Sequence, residues 1–470
     1  MRVRRVLSFL ALTPLVLVGL NATSGGAVAP PDVDGRVGFG SWSPLTSSAS
    51  PNFAEASVAR TADGVLHAVW LVDNADRTHN YEHTTISRSG VQGPVTRVLA
   101  TNWSQLSTPV DLGVNPDGSL RLAFTGTIDG DTSNFFTYKG VYTAVSADGG
   151  ATWVVPREVL APSISSGGVT LAYTPDGNTI TGFGDTGGFH WHVGSVPEAA
   201  VPTATNQEFT DHDAVAPSLV RSGAAVYVVY QSFRGGGVFA RQVWPTLGAA
   251  VRAPGSNNDA GGTMAVVDRA GVGPVAAYTS DSRVVLWDIV DNRTYRVRGM
   301  DGATNVALAA TTDEHLWVAA QGPIGYQPRA SRVAVDGWAT DRRPARLDDL
   351  YNTFGIALGT SNPLRAELLV TGNDSGDASR IHAQSVRAQL TLRAAPRRWG
   401  AGEDRRVVFR VTDVDGALAG ARVRAAGATC RTTASGRCTI RFAPRRPGRI
   451  VARATKSGYD HDEATLRVTR

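Results

Sequence analysis

Apolar and polar positions between residues 53 and 372 follow a pattern that recurs seven times: a short apolar run, a turn, and a second run ending in an aliphatic or aromatic stretch. The copies read ASVARTADGVLHAVW (56–70), VDLGVNPDGSLRLAF (110–124), VTLAYTPDGNTITGF (169–183) and PSLVRSGAAVYVVY (217–230). TMAVVDRAGVGPVAAY (263–278), NVALAATTDEHLWVAA (305–320) and GIALGTSNPLRAELLV (355–370) complete the set. Their turns centre on Asp63, Asp117, Asp176, Gly223, Gly271, Asp313 and Asn362, so successive turns lie 54, 59, 47, 48, 42 and 49 residues apart. Hairpins repeating every 40–50 residues or so are the signature of β-propeller blades.

Each unit reads as four strands; in the first they cover 56–59, 66–72, 81–87 and 95–99. The last unit has no evident fourth strand, whereas a lone β-like stretch at 38–46, containing Trp42, precedes the first unit. If that stretch completes the last blade, the ring closes and no sheet edge is left open. The expected fold is all-β: a seven-bladed propeller over residues 30–387, or six blades if one unit is irregular. Helix-period apolar patterns are almost absent, which agrees.

The pattern changes after residue 387. Segments 390–395, 406–412, 421–426, 438–442, 449–455 and 464–468 alternate apolar and polar residues between Gly, Pro and Asp turns. Short strands so closely spaced predict a β-sandwich over 388–470. With its turns at Asp415-Gly416, Gly420-Ala421, 433–436 and 456–459, this segment resembles secreted bacterial Ig-like domains. The resemblance implies a spacer, display or adhesion module.

Composition adds compartment and charge. Residues 1–29 carry Arg2, Arg4 and Arg5, an apolar core at 6–20 and Ala27-Val28-Ala29, the three parts of a secretory signal peptide. The apolar core is short for a membrane span, so the mature chain is expected to be secreted, or associated with a cell wall, without a transmembrane segment. Residues 388–470 hold 18 basic and 7 acidic side chains (+11), whereas residues 30–387 hold 25 and 34 (−9). The basic tail suits an anionic surface such as cell-wall polymer or acidic glycan, or forms a solvated Arg-rich exterior. It lacks the interleaved aromatics of a nucleic-acid binder. Cys430 and Cys438, the two cysteines of the chain, are expected to pair across a hairpin in an oxidising compartment.

One motif carries a family resemblance. Residues 146–153 read Ser-Ala-Asp-Gly-Gly-Ala-Thr-Trp and match S-x-D-x-G-x-T-W at Ser146, Asp148, Gly150, Thr152 and Trp153. This segment is similar to the Asp-box (BNR repeat) of sialidase-type propellers. In that family the motif lies on the face opposite the active site, so the resemblance implies a structural role for these five residues.

Family enzymes hold a sialic acid carboxylate with three arginines, attack through a tyrosine paired with glutamate, and use an aspartate as acid/base. The first arginine would fall at 53–56, which reads Phe-Ala-Glu-Ala, and is absent. Asp76 is the acid/base candidate. Arg234, Arg283, Arg329 and Arg380 are candidates for the remaining arginines, and Tyr326 with Glu208 for the pair.

Loops on the ligand face of a propeller would also carry Asp73, Asp129, Asp131, Asp185, Asp211, Asp213, Asp281, Asp374 and Asp377. Such carboxylates could bind sugar hydroxyls, coordinate Ca²⁺ or act as acids and bases, and Asp is also a common turn former. Asp129-Gly130-Asp131 is too short for a full calcium loop. His190 and His192 share one strand face, and a third zinc ligand would have to be Asp185 or His212. No metal or other cofactor is expected.

The sequence thus predicts a monomeric, secreted sialidase-like propeller that binds an extracellular glycan or cell-envelope component without standard sialidase catalysis. An exo-sialidase or related glycoside hydrolase is the alternative, and an extracellular protein-interaction scaffold the third.

Overall fold

The structure, a computed structural model, describes residues 42–46, 55–74, 76–127, 137–138, 140–154, 156–160, 164–165, 168–194, 207–257, 262–322, 328–341, 345–346, 352–373 and 380–470. The signal-peptide segment 1–29 lies outside them. Among the described residues the protein is all-β and contains no helix. None of the described residues forms a helix long and apolar enough to cross a membrane.

Each of the seven sequence repeats forms an antiparallel sheet. Their innermost strands are Ser57–Arg60, Asp111–Val114, Gly168–Tyr173, Val215–Ser222, Ala265–Arg269, Asn305–Ala310 and Asn352–Asn362. These strands adjoin one another in chain order, and the seventh adjoins the first, so the sheets form a closed ring. The fold is a β-propeller. Strand Ser43–Pro44 pairs antiparallel with Arg380–Gln389 (Ser43↔Ala383, Pro44↔His382) and becomes the outermost strand of the seventh sheet. The N-terminal stretch thus closes the ring as the repeat pattern suggests.

The second strand of each sheet explains the apolar runs. Leu66–Asp73 and Leu120–Thr127 are buried along almost their whole length, because both faces of a blade pack against a neighbour. Trp70, Trp191, Trp287 and Trp317 are fully buried. Edge-to-face contacts of Trp103 with Phe124 (5.4 Å) and Tyr142 (4.7 Å) fill the second sheet's core.

The inner hairpins turn by one local device. In Thr61-Ala62-Asp63-Gly64 the Asp63 carboxylate accepts from the Thr61 hydroxyl (2.5 Å) and Val65 N–H (3.2 Å), while Gly64 takes φ +82°. Asp117 and Asp176 make equivalent turns, with Gly118 and Gly177 at +88° and +86°. In the sixth sheet Glu314 occupies the left-handed position at +71°.

The tail stacks two sheets around its own core of Trp399, Phe409, Phe442 and aliphatic side chains. Ala388 packs with the ring and Leu390 with the tail. Cys430 and Cys438 are disulfide-bonded, but their strands, Ala428–Arg431 and Arg437–Phe442, belong to opposite sheets. The bond therefore ties the two sheets together at one edge and does not cross a paired hairpin, because the chain changes sheets between the two cysteines.

A buried ionic network joins tail to ring. Arg332, 1% exposed, donates to Asp413 (2.8 Å) and Asp415 (3.3 Å). Asp415 also meets His315 Nε2 at 2.8 Å and accepts from Val335 N–H, and Tyr459 O–H donates to Asp413 at 2.7 Å. Burial lowers the His315 pKa, but the bonds to Asp415 and Asp313 outweigh it and leave it above its ordinary value.

Candidate functional site

A propeller offers a ligand its central channel, which the innermost strands line. Polar side chains staple these strands to one another. The Ser57 hydroxyl accepts from Leu112 N–H (2.9 Å), Asp111 from Leu171 N–H (2.7 Å), Thr170 from Leu219 N–H (2.8 Å) and Thr263 from Val306 N–H (3.1 Å). Neighbouring blades share no sheet ladder, so these bonds satisfy donors that the ladders leave open. Asp111 also accepts from the Thr170 hydroxyl at 3.1 Å. Burial nevertheless raises its pKa to about 6, against the pull of the two bonds.

Glu55 differs from Asp111 in its surroundings. It lies two residues before the first innermost strand, at the end away from the Asp63 turn, and against Gly355 of the seventh sheet. A Cβ on Gly355 would come within 2.7 Å of Glu55 Cγ, so the glycine leaves room for the side chain at the seam where the ring closes. Glu55 is half-buried and has no hydrogen-bond or ion-pair partner among the described residues. Burial pushes its pKa up to about 7. This carboxyl group can accept or donate a hydrogen bond near neutral pH.

The loop carboxylates singled out in the sequence behave otherwise. Asp76 is exposed and accepts from Thr78 N–H (3.0 Å) and the Thr78 hydroxyl (2.5 Å), which lower its pKa. That arrangement favours the ionised form, the reverse of what a general acid requires. Asp73 meets His79 Nδ1 at 2.6 Å, and Asp185 caps its own turn through Gly187 and Gly188 N–H. Asp211 pairs with Arg241 (2.6 Å). Asp213 is buried and accepts from the Ser232 hydroxyl and the Phe233 and Arg234 N–H groups. Asp281 takes φ +49° and accepts from Asn257 at 3.3 Å. Asp129, Asp131, Asp374, Asp377 and Tyr326 lie outside the described residues.

Of the candidate arginines, Arg283 is exposed and opens its strand opposite Asp301. Arg329 donates to the Gly299 carbonyl, and Arg380 begins the strand Arg380–Gln389 opposite Gly372. None of these contacts joins two of the arginines. Glu208 meets His190 Nδ1 (3.1 Å). Among the described residues no three His, Cys, Asp or Glu side chains gather into a group able to hold a metal ion.

Residues 146–153 form the turn between the third and fourth strands of the second sheet. Asp148 accepts from the Ser146 hydroxyl (2.8 Å), Thr152 N–H (2.9 Å) and the Thr152 hydroxyl (2.6 Å), which hold its pKa down to about 2. Gly150, at φ +90°, packs so tightly under His83 of the first sheet that a Cβ would meet the ring at 2.0 Å. Thr96 donates to the Gly150 carbonyl (2.9 Å), and Trp153 packs edge-on against His83. The turn sits beside the Thr61–Asp63 hairpin, on the face opposite Glu55. It is a clasp between two blades.

No protein-family model matches the chain, and neither does any curated protein. Among solved structures, virginiamycin B lyase from Staphylococcus aureus aligns over 73% of this chain and 97% of its own, with 8% identity and a TM-score of 0.46. The NanB sialidase of Streptococcus pneumoniae aligns over 73% and 69%, with 9% identity and a TM-score of 0.43. A Dyadobacter fermentans protein of unknown function covers 71% and 94%, with 12% identity and a TM-score of 0.43.

Part of the channel was readable from the sequence. Ser57, Asp111 and Thr170 each stand six residues before the turn residues Asp63, Asp117 and Asp176. A polar residue at a fixed place in an apolar strand is the signal of the staple. Glu55 has no such periodic signature; its lack of a partner depends on how the seventh sheet meets the first.

Proposed function

We propose that this protein is an exported, seven-bladed, sialidase-like propeller with an Ig-like C-terminal module, and that it binds an extracellular glycan at the Glu55 end of its channel. The observation that carries the reading is Glu55, a half-buried carboxyl group at the ring seam with no partner among the described residues. A carboxyl group so placed gains a hydrogen bond when a sugar hydroxyl arrives, and the surrounding low dielectric strengthens that bond. The described loop aspartates are committed to local hydrogen bonds and ion pairs, so they shape the rim.

A glycan array probed with the full chain, with and without Ca²⁺, tests this. Binding that is lost or reduced about tenfold in Glu55→Gln supports the site. Binding unchanged in Glu55→Gln, or none to any glycan, rejects it.

The pKa of Glu55, near 7, favours one second reading, a glycoside hydrolase in which Glu55 is the general acid. Turnover of fluorogenic sialosides or other glycosides, abolished in Glu55→Gln and retained in Asp76→Ala, would establish it. A chain that neither binds nor cleaves glycans but captures a cell-envelope protein would be the scaffold.

A further inference from the structure

The outer face of one tail sheet is an arginine ladder. The sheet runs in the order Arg398–Gly400, Asp462–Thr469, Gly448–Thr455, Arg422–Ala425, Ala428–Arg431. Strict alternation sends Val423, Ala452, Ala454, Leu466 and Val468 into the core and the basic side chains outward. Arg424 stands opposite Arg453, Arg422 opposite Arg431, and Arg449 opposite Arg467, which in turn is opposite Arg398. All seven are exposed, and none is in an ion pair among the described residues. Glu463 is the acidic side chain on this face.

Like charges directly opposite one another weaken a sheet. This face carries three such antiparallel pairs without counter-ions, a layout whose repulsion an anionic partner would relieve. A shallow groove of about 420 Å³ runs between the strands Arg422–Ala425 and Gly448–Thr455. Its floor is Ala426 and Val451, the last 51% exposed, and its walls are Arg422, Arg424 and Arg453.

We propose that this face binds a linear anionic polysaccharide carrying carboxylates along its length. Arginines whose backbones stand about 5 Å apart across strands and about 7 Å apart along them can offer guanidinium groups to successive carboxylates as two-pronged hydrogen bonds. The apolar floor offers a bed to the C–H faces of the sugar rings, which a bare phosphate polymer would not use. No Phe, Tyr or Trp is exposed on this face, so it lacks the stacking platform of a single-stranded nucleic acid site. No apolar side chain rises above the arginines to enter a lipid surface. The face is separate from the ring channel, so its failure leaves the Glu55 reading untouched.

Calorimetric titration of the full chain with polygalacturonate tests the proposal, with dextran, oligo(dT) and phosphatidylglycerol vesicles as comparison arms. The expected result is binding to polygalacturonate that weakens steeply between about 50 and 200 mM salt, as charge-driven binding does. Arg424→Ser/Arg453→Ser should weaken it at least about tenfold. Arg410→Ser/Arg437→Ser, on the outer face of the opposite sheet, should leave it unchanged. Removing opposed like charges does not threaten the fold, and thermal melts of both variants check that. If the first variant does not fold, Arg422→Ser/Arg449→Ser is read in its place. No binding to polygalacturonate, equal loss in the two faces, or tighter binding of oligo(dT) or vesicles would overturn the proposal.

Discussion

Ring and tail are both built from antiparallel sheets, yet they place ionisable groups in opposite ways. The ring buries them, as Arg121, Arg269, Arg332, His67, His83 and Asp341 show. The tail from residue 391 onward buries Thr432 among its apolar core and the Asp413 side chain where it meets the ring, and sends most of its other charges outward. The difference follows from how each closes. Blades meet edge to edge around a channel and leave strand groups that need side-chain partners, as Ser57, Asp111 and Thr170 show. Two stacked sheets meet through apolar faces alone and make no such demand. Thr170, Arg269 and Arg332 are buried polar groups that mark places where blades, or ring and tail, meet.

The boundary between the two regions should be the most sensitive place. Arg332→Met leaves Asp413 and Asp415 without their buried cation, and stability should fall by about 3–5 kcal/mol in urea unfolding. Adding Asp413→Asn and Asp415→Asn should restore most of that loss. A loss below about 1 kcal/mol would mean the network does not couple ring to tail.

Acid should discriminate next. His67 Nδ1 and His83 Nε2 are 3.0 Å apart beneath the Gly150 turn. Burial, reinforced by His67, pushes the His83 pKa down to about 4. The unfolded chain takes up that proton near pH 6.5, so stability is full above that value and falls as pH drops from 6.5 to 4. The expected loss is about 3 kcal/mol. His83→Gln should flatten the profile in that window, measured by urea midpoints at stepped pH. A profile unchanged by the substitution would place the acid sensitivity elsewhere.

Within the tail the largest local constraint is covalent. Cys430 and Cys438 close a short loop between the two sheets. Replacing both by Ser should cost about 2 kcal/mol by loop entropy. Reduction of the intact protein should reproduce the loss, and neither change should alter the acid profile of the ring.

Where a feature depends on near neighbours in sequence, it was legible. The seven turns, the Asp–Gly chemistry at Asp63, Asp117 and Asp176, and the closure by the segment around Trp42 all rest on patterns within one repeat or at its ends. The turn at residues 146–153 was equally local, since its bonds lie within eight residues. Loop aspartates are ambiguous in sequence because a turn former and a ligand use the same residue type. Only the neighbours of Asp185 and Asp213 separate the two roles.

The sequence by itself determined the repeat, the strand alternation and the basic character of the tail, because each is a periodic property that the backbone geometry reads directly. Tertiary structure decided the rest. Closure of the ring brings Gly355 against Glu55 across 300 residues and leaves that carboxyl group without a partner among the described residues. Docking of the tail delivers Asp413 and Asp415 to Arg332. Strand order, not composition, gathers seven arginines from five strands onto one face. Each of these depends on which distant segments become neighbours, and that is fixed only when the sheets assemble.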